Sequence, residues 1–249
     1  MYSFHSSTKQ LSDSNIDTAI ISVGATEGCG PCLPLHLDTL MAEYFAAAWG
    51  RALDAYVLPT LPFNTSEEHT AFKGTISLRP ATIMSVLGEI VAGLRQQGFT
   101  KQVLTVGHGG SWWMGAFIKD INWQYKDIIV INAHHGADPI WDQAVKHAGL
   151  EIGNDLHGGV LSRALASFLS PDDVQDGEYG VDVPEEMIAH NGYVTWDKIT
   201  PDGSWGRYSE VDQGAATAEA GRKLLAYFTE HHVPQLKAHF EAACKLKGI

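Results

Sequence analysis

Short apolar runs of strand length alternate with segments of helical spacing along this chain, and that alternation restricts the fold more than any other feature. Four extended runs are found, in the order DTAIISVGAT, AYVLPTLPF, KQVLTVG and DIIVINA. Strands that alternate with helices form βαβ units, in which the strands are parallel and helices cover the sheet. The pattern predicts an α/β fold: a single three-layer domain over residues 1–249, with a mainly parallel sheet flanked by helices.

The segments between and after these runs have helical spacing of apolar residues. The predicted helices are DTLMAEYFAAAWGRALD, PATIMSVLGEIVAGLRQQG, WWMGAFIKDINWQY, HGGVLSRALASFL and AATAEAGRKLLAYFTEHHVPQLKAHFEAACKL. Pro234 is expected to kink the last of them. The segment 171–214 is rich in Gly, Pro and Asp and is expected to be mostly loop.

The composition excludes several classes of protein. A formal net charge of −12 argues against nucleic-acid and anionic-membrane binding, because phosphate neutralisation requires Lys and Arg. Three cysteines do not make a disulfide framework. The first residues, MYSFHSSTKQLSDSN, lack the basic start and apolar run of a signal peptide, and no later run is long enough to span a bilayer. A soluble cytoplasmic protein is therefore predicted.

Polar clusters follow the predicted strands. They read GATEGCGPC, HTAFKG, GHGGS and NAHHG in chain order. Ligands of open α/β sheets bind beyond the carboxyl ends of the strands, so these clusters predict a functional site at that edge. The twelve histidines of the chain suggest metal or acid–base chemistry there.

The CGPC sequence within the first cluster has three interpretations. It is the dithiol motif of thioredoxin-type proteins, which place the first thiol at a helix N-terminus. However, CLPLHLD lacks helical patterning until Asp38. The two cysteines could instead be small buried apolar residues in a turn, or could contact a metal ion or a substrate, which is the favoured interpretation.

Four motifs in the same order resemble the creatininase (creatinine amidohydrolase) family, of which the chain looks like a divergent member. EGCGPCLPLHLD matches the family's first signature with Cys in place of each His. The other three are SEEHTAFKGTISLRPAT, VGHGGS after a strand, and HGGVLSR opening a helix. Together these motifs extend over roughly residues 17–168.

The resemblance implies that Glu27, Asp38 and His108 bind one divalent ion. Two carboxylates and an imidazole suit Zn²⁺ or Mn²⁺. Asp38 could alternatively only cap the helix that follows it. Cys29 and His36 are candidates for additional ligands.

The family's second ion would need further ligands that this chain lacks. Cys29 replaces a His, and the places available to an acidic ligand are Gly110 and Ser162. One ion is therefore favoured over two, unless Cys29 supplies a thiolate.

The remaining site residues are also implied by the resemblance. His157 corresponds to a His near the reacting atoms and is the predicted general acid or base. His134 and His135 are expected to be structural or to support ligands. Predicted substrate-binding residues are Cys32, His69, Ser111, Trp112, Trp113 and Ser162.

The implied function is a metal-dependent hydrolase that opens a small cyclic substrate by water attack on a carbonyl, breaking a cyclic amide or formamide C–N bond. Leu156 replaces an acidic residue typical of creatininase itself and argues against creatinine as substrate. The alternative is C–C hydrolysis of a cyclic polyol ketone such as a keto-inositol (a 3-dehydro-scyllo-inosose-type compound). A non-catalytic binding relative and a thiol–disulfide protein are the lesser alternatives. The family also implies a homo-oligomer, such as a hexamer.

Overall fold

The protein's structure, a computed structural model, describes residues 1–133, 139–151, 155–190 and 192–249. A five-stranded parallel sheet has the order β1-β3-β2-β4-β5. Its strands are β1 (Tyr2–Ser3), β2 (Thr18–Val23), β3 (Tyr56–Val57), β4 (Lys101–Val106) and β5 (Ile129–Asn132). The predicted parallel sheet is confirmed.

Helices cover both faces of this sheet. They are α1 (Thr8–Ser12), α2 (Leu37–Leu53), α3 (Pro80–Gln96), α4 (Met114–Gln124), α5 (Pro139–His147), α6 (Val160–Leu169) and α7 (Ala218–Lys247). One core contains side chains of α2, α5, α6 and α7, among them Trp49 and Phe228. The other contains side chains of α3 and α4, such as Leu87 and Phe117. The chain therefore has the three layers of an α/β fold.

The central strand β2 explains why the sequence run is apolar throughout. All six of its residues are buried, because helices pack on both faces and β3 and β4 flank its edges. A strand buried on both faces has no alternation of apolar and polar residues. It pairs with β4 in register from Thr18↔Lys101 to Val23↔Val106, which aligns the carboxyl ends of the two strands.

Several short elements differ from the sequence prediction. The N-terminal β1 and α1, and the short α5, were not predicted. The run AYVLPTLPF contributes only the two residues of β3. Helix α4 starts at Met114, so the Trp112–Trp113 pair precedes it. Helix α7 contains Pro234 without ending there.

The segment 171–214 is mostly irregular, as expected, but it has its own small core. The strands β6 (Tyr179–Val181) and β7 (Gly206–Tyr208) form an antiparallel pair. Trp196 and Trp205 are buried together with ring centroids 5.0 Å apart. The residues around Trp196 help to enclose the site described below.

Within the described part of the chain, none of the helices has the length and apolar character that crossing a membrane requires.

Candidate metal centre and cavity

Glu27, Asp38 and His108 converge at the carboxyl ends of β2 and β4. Glu27 follows β2, Asp38 lies in the first turn of α2, and His108 follows β4 by two residues. One oxygen or nitrogen atom of each lies within 4.8 Å of the others. The sequence predicted these three residues as metal ligands, and the structure brings them together.

Gly107 allows this convergence. A Cβ built on it would lie 2.0 Å from the Asp38 carbonyl oxygen and 2.6 Å from the Ala42 nitrogen. Only a residue without a side chain permits the start of α2 to lie so close to the end of β4. The close approach places the Asp38 carboxylate beside the imidazole that follows Gly107.

Both ring nitrogens of His108 have hydrogen-bond partners. Nε2 donates to the Thr65 carbonyl oxygen at 2.6 Å, and Nδ1 lies 3.0 Å from Asp38 Oδ2. Although burial alone would lower the pKa of His108, the carboxylates of Glu27 and Asp38 raise it to about 10. Without a metal ion, the ring is therefore an imidazolium that donates from both nitrogens.

A divalent ion fits this donor set. A histidine that binds a metal usually donates its other N–H to a backbone carbonyl, as Nε2 does to Thr65, which leaves Nδ1 for the ion. Glu27 Oε2 is buried without a hydrogen-bond partner and lies 3.6 Å from His108 Nε2. Burial also raises the pKa of Glu27, an effect that a nearby cation would reverse.

Glu27 also belongs to two further groups of ligand-type side chains. One contains Cys29 and His157, and the other contains Glu68 and His69. His157 Nε2 lies 3.5 Å and His69 Nε2 3.6 Å from Glu27 Oε1. Burial, together with the charges of His157 and His108, lowers the pKa of His69 to about 2, so that its ring is neutral.

His157 is positioned by the segment that follows β6. It exchanges two backbone hydrogen bonds with Trp205, of 3.1 and 2.7 Å. Its Nε2 lies 3.1 Å from the Gly28 carbonyl oxygen. Since a carbonyl oxygen only accepts, this contact places a proton on Nε2.

The start of α6 is fixed by Asp155. Its carboxylate accepts from the backbone N–H groups of Gly159 and Leu161, both at 3.1 Å. Burial raises the pKa of this carboxyl to about 6.

The environment of the two cysteines is unlike that of a reactive dithiol. Cys29 and Cys32 are buried free thiols. Burial, reinforced by the charges of Asp38 and Glu27, raises the pKa of Cys29 well above its ordinary value. A thioredoxin-type pair requires a lowered pKa. Cys29 lines the cavity that is described in the next paragraph. Cys32 Sγ instead points at the Asp176 carbonyl oxygen, 3.8 Å away.

A cavity of about 1160 Å³ opens above the three converging groups. His69, His157, Trp112 and Ser162, which the sequence analysis assigned to the site, line it. The Trp112 side chain is 71% exposed at the cavity wall.

Three predicted substrate-binding residues do not line this cavity: Cys32, Ser111 and Trp113. Trp113 is only 2% exposed, and its Nε1 donates to Asn64 Oδ1 at 3.0 Å and to Thr65 Oγ1 at 3.2 Å. Ser111 Oγ accepts from Asn64 Nδ2 at 2.8 Å. Both side chains therefore hold the loop that presents the Thr65 carbonyl oxygen to His108.

His36, predicted as an additional ligand, lies outside the cluster. Its side chain is partly exposed, and Nε2 is 3.8 Å from Asp173 Oδ2. His134 and His135 lie outside the described residues.

Sequence reasoning missed Asn64, Thr65, Glu68 and Trp196. The first three belong to the polar stretch NTSEEH, which ends at His69, so their position after the second extended run was an available signal. Trp196 lies in the segment expected to be loop, and its ring centroid is 4.4 Å from that of His69. No local pattern indicates that this contact forms.

The chain is similar to known proteins in both sequence and structure. A sequence model of the creatininase family, described as creatinine amidohydrolase, matches residues 5–236. The mycofactocin precursor peptide peptidase of Mycolicibacterium smegmatis is 30% identical over 182 residues, or 69% of this chain and 66% of that protein. The chain thus spans slightly less than two thirds of that relative's length. The 3-dehydro-scyllo-inosose hydrolase of Thermotoga maritima is 30% identical over 94 residues, 37% of this chain and 30% of that protein.

Solved structures have the same fold. A protein of Bacteroides fragilis assigned as a creatinine amidohydrolase has a TM-score of 0.74 at 26% identity, covering 96% of this chain and 95% of that chain. A manganese form of a creatininase has a TM-score of 0.72 at 19% identity, covering 95% and 97% of the two chains. A zinc–zinc form of a creatininase variant has a TM-score of 0.70 at 20% identity, covering 96% and 98%.

Proposed function

This chain belongs to the creatininase family, and on that premise we propose that it is a metal-dependent hydrolase that breaks the C–N bond of an amide. The observation that carries the proposal is the convergence of Glu27, Asp38 and His108 at the base of a large cavity, with a buried carboxylate oxygen left unpartnered. Buried polar atoms are rarely left without a partner, so the unpartnered Glu27 Oε2 supports the binding of a cation at this place.

Glu27, Asp38 and His108 would hold a single Zn²⁺ or Mn²⁺ ion. When bound, such an ion polarises a carbonyl group and lowers the pKa of water toward neutrality. The protein holds the three ligands rigidly: Glu27 is anchored by the hydrogen bond from its backbone N–H to the Leu35 carbonyl oxygen at 2.9 Å, and His108 by Thr65. The family's second set of ligands is incomplete here, because Cys29 replaces its His and neither Gly110 nor Ser162 can supply its acidic ligand.

His157 would move the proton that amide hydrolysis requires. The leaving nitrogen must gain a proton, and an imidazole within reach of the reacting atoms is the usual source. His157 lies on the cavity wall, and Gly28 and Glu27 surround its Nε2. The hydrogen bond to the Gly28 carbonyl oxygen holds the ring at the edge of the ligand cluster, where it can deliver the proton without being needed as a ligand.

Exposed apolar side chains would orient the substrate. Trp112, Leu156 and Tyr193 line the cavity and are largely exposed there. Leu156 gives this wall an apolar surface where creatininase itself has an acidic residue. The site therefore favours a substrate with an apolar surface over creatinine.

The substrate proposed first is a cyclic amide or a formamide. The cavity volume of about 1160 Å³ also accommodates larger amides. A peptide bond is an amide C–N bond, and the M. smegmatis relative is named a peptide peptidase. The C–C hydrolysis of a keto-inositol is the second candidate, and the partial match to the T. maritima hydrolase supports it.

The test is an activity screen on purified protein that has been chelated and then reconstituted with Zn²⁺ or Mn²⁺. The panel contains cyclic amides, formamides, short peptides and keto-inositols. We expect turnover of an amide that chelation abolishes and that a dithiol reductant leaves unchanged. Turnover of keto-inositols alone would favour the second candidate. Activity that survives complete removal of metal would contradict both.

A further inference from the structure

The two carboxylate oxygens of Glu27 face different neighbours. Oε2 faces His108 and lies 3.6 Å from its Nε2. Oε1 lies 3.6 Å from His69 Nε2. Glu68, next in sequence to His69, also brings a carboxylate oxygen within 4.8 Å of ligand atoms of Glu27 and His69. Glu27 therefore stands between two separate sets of ligand-type side chains, and all of them line the cavity.

Two buried atoms of this arrangement have no hydrogen-bond partner. They are Glu27 Oε2 and His69 Nδ1. Both residues are only 1% exposed. A buried polar atom without a partner costs free energy comparable to a lost hydrogen bond. Glu27 Oε2 faces the first site. The unpartnered Nδ1 of His69 is therefore the atom that points to a further ligand, beside Glu27 Oε1 and Glu68.

We propose that Glu27, Glu68 and His69 form a second divalent-cation site, with Glu27 shared between this ion and the one held with Asp38 and His108. Two carboxylates and one imidazole are ligands that Zn²⁺ and Mn²⁺ accept. Three protein ligands leave coordination positions open toward the cavity. This set shares only Glu27 with the first site. It differs from the family's second set, which the resemblance places at Asp38, at Cys29 and at either Gly110 or Ser162.

The third group, Glu27 with Cys29 and His157, is a less suitable second site. His157 Nε2 already lies 3.1 Å from the Gly28 carbonyl oxygen, to which it donates. Binding an ion through that nitrogen would break this hydrogen bond. His69, by contrast, is neutral and has an unpartnered Nδ1, and its Nε2 lies 3.6 Å from Glu27 Oε1, so binding an ion breaks no such hydrogen bond to a carbonyl oxygen.

The experiment is a count of bound Zn²⁺ by isothermal titration and elemental analysis of chelated protein. The wild-type chain is expected to bind two ions. Glu68→Gln and His69→Asn are expected to bind one. Glu67→Gln is the matched control, because Glu67 is the adjacent acidic residue of the cavity wall but belongs to none of the three groups; it is expected to bind two.

The other possible ion counts contradict either the second site or the proposed function. Saturation of the wild type at one ion, or equal ion counts in Glu68→Gln and Glu67→Gln, would overturn the second site while leaving the proposed function intact. Loss of the second ion in Cys29→Ser but not in Glu68→Gln would also overturn it, and would favour a site formed by Glu27, Cys29 and His157. Since Glu68 is only partly buried, its substitution tests the site even if His69→Asn fails to fold. A wild type that binds no ion would instead contradict the proposed function.

Discussion

The Nδ1 atom of His108 lies 3.0 Å from the Oδ2 atom of Asp38, although 70 positions separate the two residues in the chain. The contact forms where the end of β4 meets the start of α2, across the space left by the missing side chain of Gly107. It joins His108, which follows β4, to Asp38 in the first turn of α2. The proposed ion would lie beside this pair.

Asp38→Asn should remove most of the metal affinity. The substitution keeps the size of the side chain but removes the charge that a divalent ion requires. Loss of a group that only supports a ligand costs about 10–100-fold in affinity, so loss of a direct ligand should cost at least about 100-fold. Titration of chelated protein with Zn²⁺ measures the change. His36→Asn is the control, since His36 lies outside the cluster, and equal affinities of the two variants would exclude Asp38 as a ligand.

Metal binding should release a proton from His108. The pKa of this residue is raised to about 10, so the ring is protonated at pH 7 and must lose the Nδ1 proton before that nitrogen can bind an ion. Apparent affinity should therefore rise with pH, by up to about tenfold per unit, until the pH reaches the pKa of His108. Calorimetry in two buffers of different ionisation enthalpy counts the protons. An affinity that is independent of pH between neutrality and pH 10 would refute this expectation.

Gly107→Ala should destabilise the fold and separate the ligands. The added methyl group would overlap the Asp38 carbonyl oxygen, which is backbone and cannot rotate away. Overpacking of this kind costs about 1–3 kcal/mol in the free energy of unfolding, and here it should also weaken Zn²⁺ binding. Gly109→Ala is the matched control, because no atom lies within 4 Å of a Cβ at that position. Denaturant unfolding of both variants gives the comparison, and similar losses would show that the close approach at Gly107 is unimportant.

His157→Gln should slow catalysis without removing the ion. Loss of a general acid or base typically lowers kcat by about 10²–10⁴-fold. The ligands Glu27, Asp38 and His108 remain, so the metal content of the site should be unchanged. Steady-state kinetics on the best substrate of the panel, with elemental analysis of the same samples, distinguishes the roles. A parallel loss of metal would make His157 a ligand instead.

The sequence predicted those parts of the fold that depend on local pattern. Buried strands such as β2 are continuous apolar runs, and polar residues at their carboxyl ends are visible as motifs. The parallel sheet followed from the alternation of strands and helices. The resemblance to a family then assigned roles to Glu27, Asp38 and His108, which the alternation alone could not do.

The parts that were not predicted depend on contacts between distant segments. Trp113 was expected to line the substrate site, but its indole N–H donates to the loop that carries Thr65. Only the folded structure shows that the side chain points toward this loop. Trp196 contacts His69 from a segment with no regular pattern. Glu68 lay inside a quoted motif, yet nothing in its spacing distinguishes it from Glu67 beside it.

The most direct test of the account is a crystal structure of the metal-loaded protein with anomalous scattering recorded at the absorption edge of the bound metal. We expect an anomalous peak about 2.0–2.2 Å from a carboxylate oxygen of Glu27, a carboxylate oxygen of Asp38 and Nδ1 of His108. Absence of a peak among these three side chains in metal-saturated, active protein would contradict it.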